Sequence, residues 1–362
     1  MIRGLVACLL LVASPGAAAP AGKAIRILKP RFFPGWQATN VAFPFVLFEP
    51  AAGRYRMLYA GSPAGRVNAS TWDQWVTLTA TSRDSRTWTF PDDYEPVLFA
   101  HRFREGEVAD PEMLAARFDS VSAFGASALR DRAGYRLWYT GWSGAQEAVA
   151  KGVVQDVGYA IGLATSPDGA SWTKQPGGAG AGAVLAPGPL GEPDAKGAGQ
   201  PSVLPGEDGL RMWYECSDGT RWRICAASSA DGLGWIKDGI ALDVGPDAAP
   251  DARGVRDPVV VRRRGAYELW YQGEGSAAPR YRVMRARSAD GKTWTKIAGA
   301  VALHPDPPIA GDERVHVDSV IALPGDAVRV FFAREITTRT DTAYGPVTRR
   351  SFHIYTEVVR PR

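Results

Sequence analysis

The sequence predicts an all-β chain folded as a five-bladed β-propeller and closed by an N-terminal strand. Three observations carry this. The motif S-x-D-x-x-x-W recurs at Ser82, Ser166, Ser229 and Ser288, at separations of 84, 63 and 59 residues. Ahead of each lies an alternating aromatic segment: "YRMLYAG" at Tyr55, "YRLWYTG" at Tyr135, "LRMWYEC" at Leu210 and "YELWYQG" at Tyr267. A fifth, "VRVFFAR" at Val328, has no such motif after it, and no segment sustains a helical period. Repeats of this length mark supersecondary units that bury a shared core by stacking. Period-two alternation marks strands, and Gly/Asp clusters mark turns. Small sheets repeated around an axis make a propeller.

Taken in chain order, the N-terminus "MIRGLVACLLLVASPGAAAPAG" has the layout of an export signal over residues 1–19. Arg3 is the positive start, Leu5 to Ala13 the apolar run, and Gly16 to Ala21 the small-residue cleavage zone. The run is short for a bilayer span. Cys8 is a candidate lipoprotein site, but almost no hydrophobic segment precedes it. The expected product is a secreted or periplasmic protein whose propeller occupies residues 24–362. "AIRIL" (Ala24 to Leu28) is expected to complete the blade that ends at "SFHIYTEVV", replacing the strand that the fifth unit lacks. One domain follows, because a partial ring would leave open sheet edges.

Each unit reads as an inner apolar strand such as "DPVVV", the aromatic strand, a third strand ending in the S-x-D-x-x-x-W turn, and a fourth. "PVLFA", "AVLAPG", "IALDVG" and "VALHP" are expected to supply the fourth strands. The repeated turns are read as scaffold: Asp accepts from its own turn's amides, and Trp packs between blades.

Positions that differ between blades are free to carry chemistry. Ten residues before each aromatic strand lie Gly125, Gln200, Asp257 and Asp318, with Phe43 in the first blade. These should ring the channel. Asp257 heads an apolar strand, where an unpaired charge is costly unless it is used. Asp318 repeats it one blade on, which points to a site. Six residues before the ring stand Asp194, Asp251 and Asp312, with Lys196, Arg253 and Arg314 two residues later. Loop-fixing ion pairs between them are expected. After the second strands come Glu215, Gln272, Glu274, Trp142, Arg334 and Glu335, and the first such loop adds Trp72, Asp73 and Trp75. Carboxylates, Arg and Trp around one hollow form a surface suited to sugars.

Composition narrows the classes. There are 42 basic and 38 acidic residues, net +4, with no basic stripe interleaved with aromatics, which argues against nucleic acid. Cys216 and Cys225 flank the turn "SDGT". Hairpin pairing sets Cys216 opposite a residue near Arg221, so two small core residues and no disulfide are expected. No metal site or cofactor is called for, although a structural divalent ion in the channel near His316 is compatible with the pattern. A monomer is expected.

The inner-strand "RDP" of "VRDPVVV", the "YELWYQG" and "YRLWYTG" strands and the "SPDGASWTK" and "SADGKTWTK" turns resemble those of the five-bladed propeller glycosidases. That group includes arabinanases, β-xylosidases, levansucrases, invertases and mannoside phosphorylases. The resemblance spans nearly the whole mature chain and implies a catalytic set of channel-mouth carboxylates. It places Asp257 as base or supporting Asp, Asp318 as base or nucleophile, and Glu215 as acid. Gln200, Trp142, Arg256, Glu274, Arg334 and His316 are the substrate-binding candidates. Two departures stand out: blade one has "AFPF" without a carboxylate, and Glu215 precedes "RDP". The implied function is a secreted glycoside hydrolase-like protein acting on a poly- or oligosaccharide. The alternatives are a non-catalytic carbohydrate-binding or envelope assembly propeller, and a glycoside phosphorylase with Arg314, His316 and Arg334 for phosphate.

Overall fold

A computed structural model describes residues 22–30, 39–62, 74–92, 95–98, 116–143, 158–342 and 345–360. Residues 1–19, where an export signal is expected, and Trp72 and Asp73 lie outside the described residues. The first blade has β2 (Asn40–Glu49), β3 (Arg54–Ser62) and β4 (Val76–Ser82). The second has β5 (Ser122–Asp131), β6 (Gly134–Trp142), β7 (Ala160–Ser166) and β8 (Thr173–Gln175). The third runs β9 (Gly197–Pro205), β10 (Leu210–Ser217), β11 (Trp222–Ser229) and β12 (Ile236–Leu242). The fourth runs β13 (Gly254–Arg263), β14 (Ala266–Glu274), β15 (Tyr281–Ser288) and β16 (Thr295–Ile297), and a single parallel bridge, Trp222 to Gly254, joins it to the third. The fifth holds β17 (Val315–Ala322), β18 (Val328–Thr342) and β19 (Gly345–Val359), with β1 (Ile25–Leu28) antiparallel on β19. The inner strands β2, β5, β9, β13 and β17 neighbour one another in a closed cycle, β17 meeting β2. The ring therefore shuts where the two ends of the described chain share one sheet.

The repeated turns do what their residues dictate. Asp84, Asp168, Asp231 and Asp290 each accept two amides of their own turn at 2.7–3.0 Å, and each bonds the Ser two residues before it. The glycine of one turn then receives an indole from the preceding blade: Trp138 Nε1 donates to Gly232 O and Trp213 Nε1 to Gly291 O. The motif Trp stands edge-on to the same ring, Trp235 against Trp138 and Trp294 against Trp213. These latches lie at the end of the blades away from the ring positions, since Ser288 pairs with Tyr267 while Gly254 pairs with Glu274. Trp270 holds the matching place in blade four. Blade five has no such turn, and the Trp270 Nε1 is buried with no partner among the described residues.

Three expectations are corrected. Cys216 and Cys225 do form a disulfide. Cys216 lies opposite Arg223, and Cys225 is its diagonal neighbour on the same face, at a Cα–Cα distance of 5.8 Å, within reach of a bridge. The loop aspartates pair with outer-strand lysines rather than with the bases two residues on. Asp194 meets Lys237 and the Tyr214 hydroxyl; Asp251 meets Lys296 and the Tyr271 hydroxyl. Asp119, fully buried, repeats this with Lys174 and Tyr139, whereas Asp312 pairs with Arg350 at the surface. Finally, β8 and β16 come straight after the Trp turn. Among the described residues, "PVLFA" and "AVLAPG" add only single bridges, Leu98 to Thr77 and Leu185 to Ile161. "IALDVG" merges with β12, and "VALHP" gives one backbone bond to the third strand of its blade, Val301 to Val283, while its His304 O accepts the Ala24 amide.

Candidate functional site

Every inner strand is interrupted at its ring position. The pairing register slips between Ala42 and Phe45, between Phe124 and Ala126, across Gln200–Pro201, between Arg256 and Val259, and between Val317 and Ser319. At four of the five the backbone is left-handed, with φ of 52° at Phe43, 63° at Gly125, 47° at Gln200 and 51° at Asp257. Gly and Asp tolerate this conformation best. A bulge re-aims its side chain. Here the five positions line one hollow on the axis, floored further by Pro201, Pro258, Val259 and Val317. The hollow offers about 20 Å³ to water, room for about one molecule.

Phe43 makes the hollow this small. Its ring stacks on His316 at 4.9 Å and touches Phe124 and Trp75 at 5.3 and 5.7 Å. Gln200 fills blade two's share: a methyl on Gly125 would come within 2.3 Å of its Oε1. Its backbone N–H donates to Thr140 Oγ1 at 2.8 Å.

The chemistry gathers on the other side. Asp318 Oδ1 sits 2.7 Å from His316 Nδ1, and its Oδ2 accepts the Ala333 amide at 3.1 Å. Burial, helped by the nearby Asp257 charge, raises Asp318 to about 6 against the pull of His316. Burial alone would lower His316, but Asp318 and then Asp257 outweigh it and raise the imidazole to about 8. Asp257 faces the same hollow and is 9% exposed.

The remaining candidates lie outside the hollow's lining. Glu215 is buried on β10, its Oε2 3.2 Å from Arg256 Nε, and Arg256 is stacked at 4.1 Å over Trp222. That bond and its burial give Glu215 the part of holding Arg256. Arg334 is enclosed and donates to Glu313 Oε2 and to the carbonyls of Pro307 and Pro308. It clamps a loop, and those engaged donors take it out of the substrate-binding set. Glu274 pairs with Arg280, Trp142 is buried at the end of β6, and Arg314 lies over Tyr281. Sequence reasoning missed Phe43 as the plug and Trp222 as the platform under Arg256. Phe43 occupied a numbered ring position, so its bulk there was the available signal.

No family model matches the chain. Two uncharacterised proteins of Mycobacterium tuberculosis, from strains CDC 1551 and H37Rv, are each 32% identical over 173 residues, 44% of this chain and 50% of the relative. The chain thus spans about half the length of the curated relatives it matches. Solved structures align over nearly the whole length. One, titled for a family of mannoside phosphorylases containing glycoside hydrolases that target β-1,2-mannosidic linkages in Candida mannan, aligns at TM-score 0.60 and 15% identity, over 92% of this chain and 91% of its own. A glycosyl hydrolase from Bacteroides ovatus aligns at 0.57 and 15%, over 94% and 92%. A thermostable family-43 glycoside hydrolase aligns at 0.55 and 15%, over 89% and 94%. At such identities the likeness speaks for architecture: the chain has the propeller fold on which these glycoside-acting enzymes are built.

Proposed function

We propose that the protein is an exported glycoside-acting enzyme that cleaves poly- or oligosaccharides at the mouth of the hollow. The observation that carries this reading is the meeting of Asp257 and Asp318, from adjacent blades, on one axial cavity. Burial raises Asp318 to about 6, which suits it to hold a proton for a leaving group. The Asp318–His316 pair holds a proton near neutral pH and passes it to the leaving glycosidic oxygen. Asp257 activates water or attacks the anomeric carbon, which takes the bond that the leaving oxygen gives up. The sugar lies above the floor, since the floor itself holds only a water. Glu215, assigned the acid role from sequence, instead orients Arg256 at the rim. The disulfide suits an oxidising compartment and supports export.

Release of reducing sugar from a polysaccharide panel, with and without inorganic phosphate, tests the reading. The Asp257→Asn/Asp318→Asn double variant should be inactive; full activity in it refutes the assignment. The narrow, Phe43-plugged floor favours one second reading, a non-catalytic carbohydrate-binding propeller. Binding without product release on every glycan in the panel would decide for that. The phosphorylase reading is weakened at Arg334, which is enclosed and whose terminal nitrogens are bonded to Glu313 and to the Pro307 and Pro308 carbonyls.

A further inference from the structure

Far from the hollow, at the latch end of the blades, the junctions between blades carry a repeated charge at the second position of the aromatic strand. Four of the five are neutralised within the protein. Arg56 bonds Glu49 at 2.7 Å, Arg136 meets Asp131 at 3.2 Å, Arg211 meets Asp238 at 3.4 Å, and Glu268 is flanked by Arg263 and Arg285. The fifth is Arg329 on β18. It is 8% exposed, and its guanidinium has no hydrogen bond or ion pair to any described residue; its Nε is fully enclosed. A buried guanidinium without an anion is strongly disfavoured.

Comparison with the neighbouring junction shows what is missing. Between blades one and two, the Glu49 carboxylate lies in a cradle of Arg56, Arg54 and the Tyr135 hydroxyl of the next blade. Between blades five and one, the same places are taken by Arg329, Ala327 and Tyr55, and the place of Glu49 falls on Leu323. The register fixes this: Leu47 faces Arg56 as Ile321 faces Arg329, and Glu49 and Leu323 each lie two residues on. Arg86 and Asp84, both on the blade-one turn, are close enough for their charges to act on Arg329, Arg86 against its charged form and Asp84 for it, with no ion pair formed between Asp84 and Arg329. Asp84 is the acid of that turn, and its Oδ1 is taken by the Arg86 and Thr87 amides and by Ser82.

We infer that the junction of blades five and one is a binding site for a small carboxylate, held by Arg329, Arg86 and the Tyr55 hydroxyl where Glu49 stands one junction on. The ligand clamps the seam at which the ring closes, beside the edge-on contact of Trp88 with Phe331. A ligand that binds only the closed ring raises the unfolding temperature by mass action.

The test follows thermal unfolding of the full chain as acetate replaces chloride at constant ionic strength, with sulfate as a second arm. Wild type should show a saturable rise of roughly 2–4 °C. Arg329→Met, which removes the charge, and Leu323→Glu, which supplies the missing acid, should both lose the response. Leu323→Glu should also start from a higher unfolding temperature. If it does not fold, Arg329→Met decides alone. An equal acetate response in wild type and Arg329→Met overturns the site. A response to sulfate but none to acetate overturns the carboxylate assignment.

Discussion

Asp318 Oδ1 and His316 Nδ1 stand 2.7 Å apart, with side chains 8% and 3% exposed, and Asp318 lines the hollow onto which Asp257 also opens. Both groups bind their protons more tightly folded than free: Asp318 moves from 3.8 to about 6 and His316 from 6.5 to about 8. Two interacting groups titrate as a pair, so these steps belong to the pair.

The stability consequence has a definite sign. The contribution of His316 is fully present below pH 6.5 and is lost as pH rises through about 8. Asp318 favours its neutral form in the fold, so its contribution is present below 3.8 and lost as pH rises through about 6. The unfolding-temperature difference between wild type and the His316→Gln/Asp318→Asn variant should therefore move against wild type from pH 5 to pH 9. Activity should rise or fall with inflections near 6 and 8. A pH-independent difference in unfolding temperature would remove the pair from the account.

Asp257→Asn isolates the second carboxyl. Asn accepts the left-handed backbone at this position at least as well as Asp does, so the substitution adds no backbone strain. Turnover should drop by about 10²- to 10⁴-fold, the usual contribution of a positioned acid or base. Sugar affinity, measured calorimetrically with an unhydrolysed oligosaccharide, should change little. A variant that keeps its turnover would hand the base role to another group.

The ring was legible in the sequence because the bulge recurs at one offset from the aromatic strand, so counting back along each repeat reaches Gly125, Gln200, Asp257 and Asp318. The closing strand was legible because blade five lacked a turn. What could not be read were relationships that cross between repeats or along a diagonal. The Lys174, Lys237 and Lys296 partners lie some 43–55 residues from their aspartates. The disulfide joins diagonal rather than facing residues. Glu215 and Arg334 stood at suitable positions, but their burial and engaged partners appear only once packing is known.

Gly125→Ala should act through Gln200. The new methyl would press within 2.3 Å of Gln200 Oε1 at a backbone φ of +63°. The expected loss is about 1–3 kcal/mol in urea unfolding. Part of it is steric and part is backbone strain, and only the steric part depends on residue 200. Adding Gln200→Gly should recover the steric share. If the loss is the same in both backgrounds, Gln200 does not occupy blade two's place in the hollow.

Trp213 and Trp270 offer a matched pair for the latch. Both are fully buried, and both lie beneath a guanidinium, Arg211 at 5.7 Å and Arg285 at 5.5 Å. They differ in one bond: Trp213 Nε1 donates to Gly291 O at 3.1 Å, while Trp270 Nε1 has no partner among the described residues. Replacement by Phe removes similar volume from each. At Trp213 it also strands a carbonyl; at Trp270 it removes an unsatisfied donor. Leaving a buried polar group unpaired costs about 1–3 kcal/mol, so Trp213→Phe should be the more damaging by about that amount in chemical denaturation. Equal losses would mean that the indole-to-turn bond contributes nothing to holding one blade on the next, and that packing area alone joins the ring.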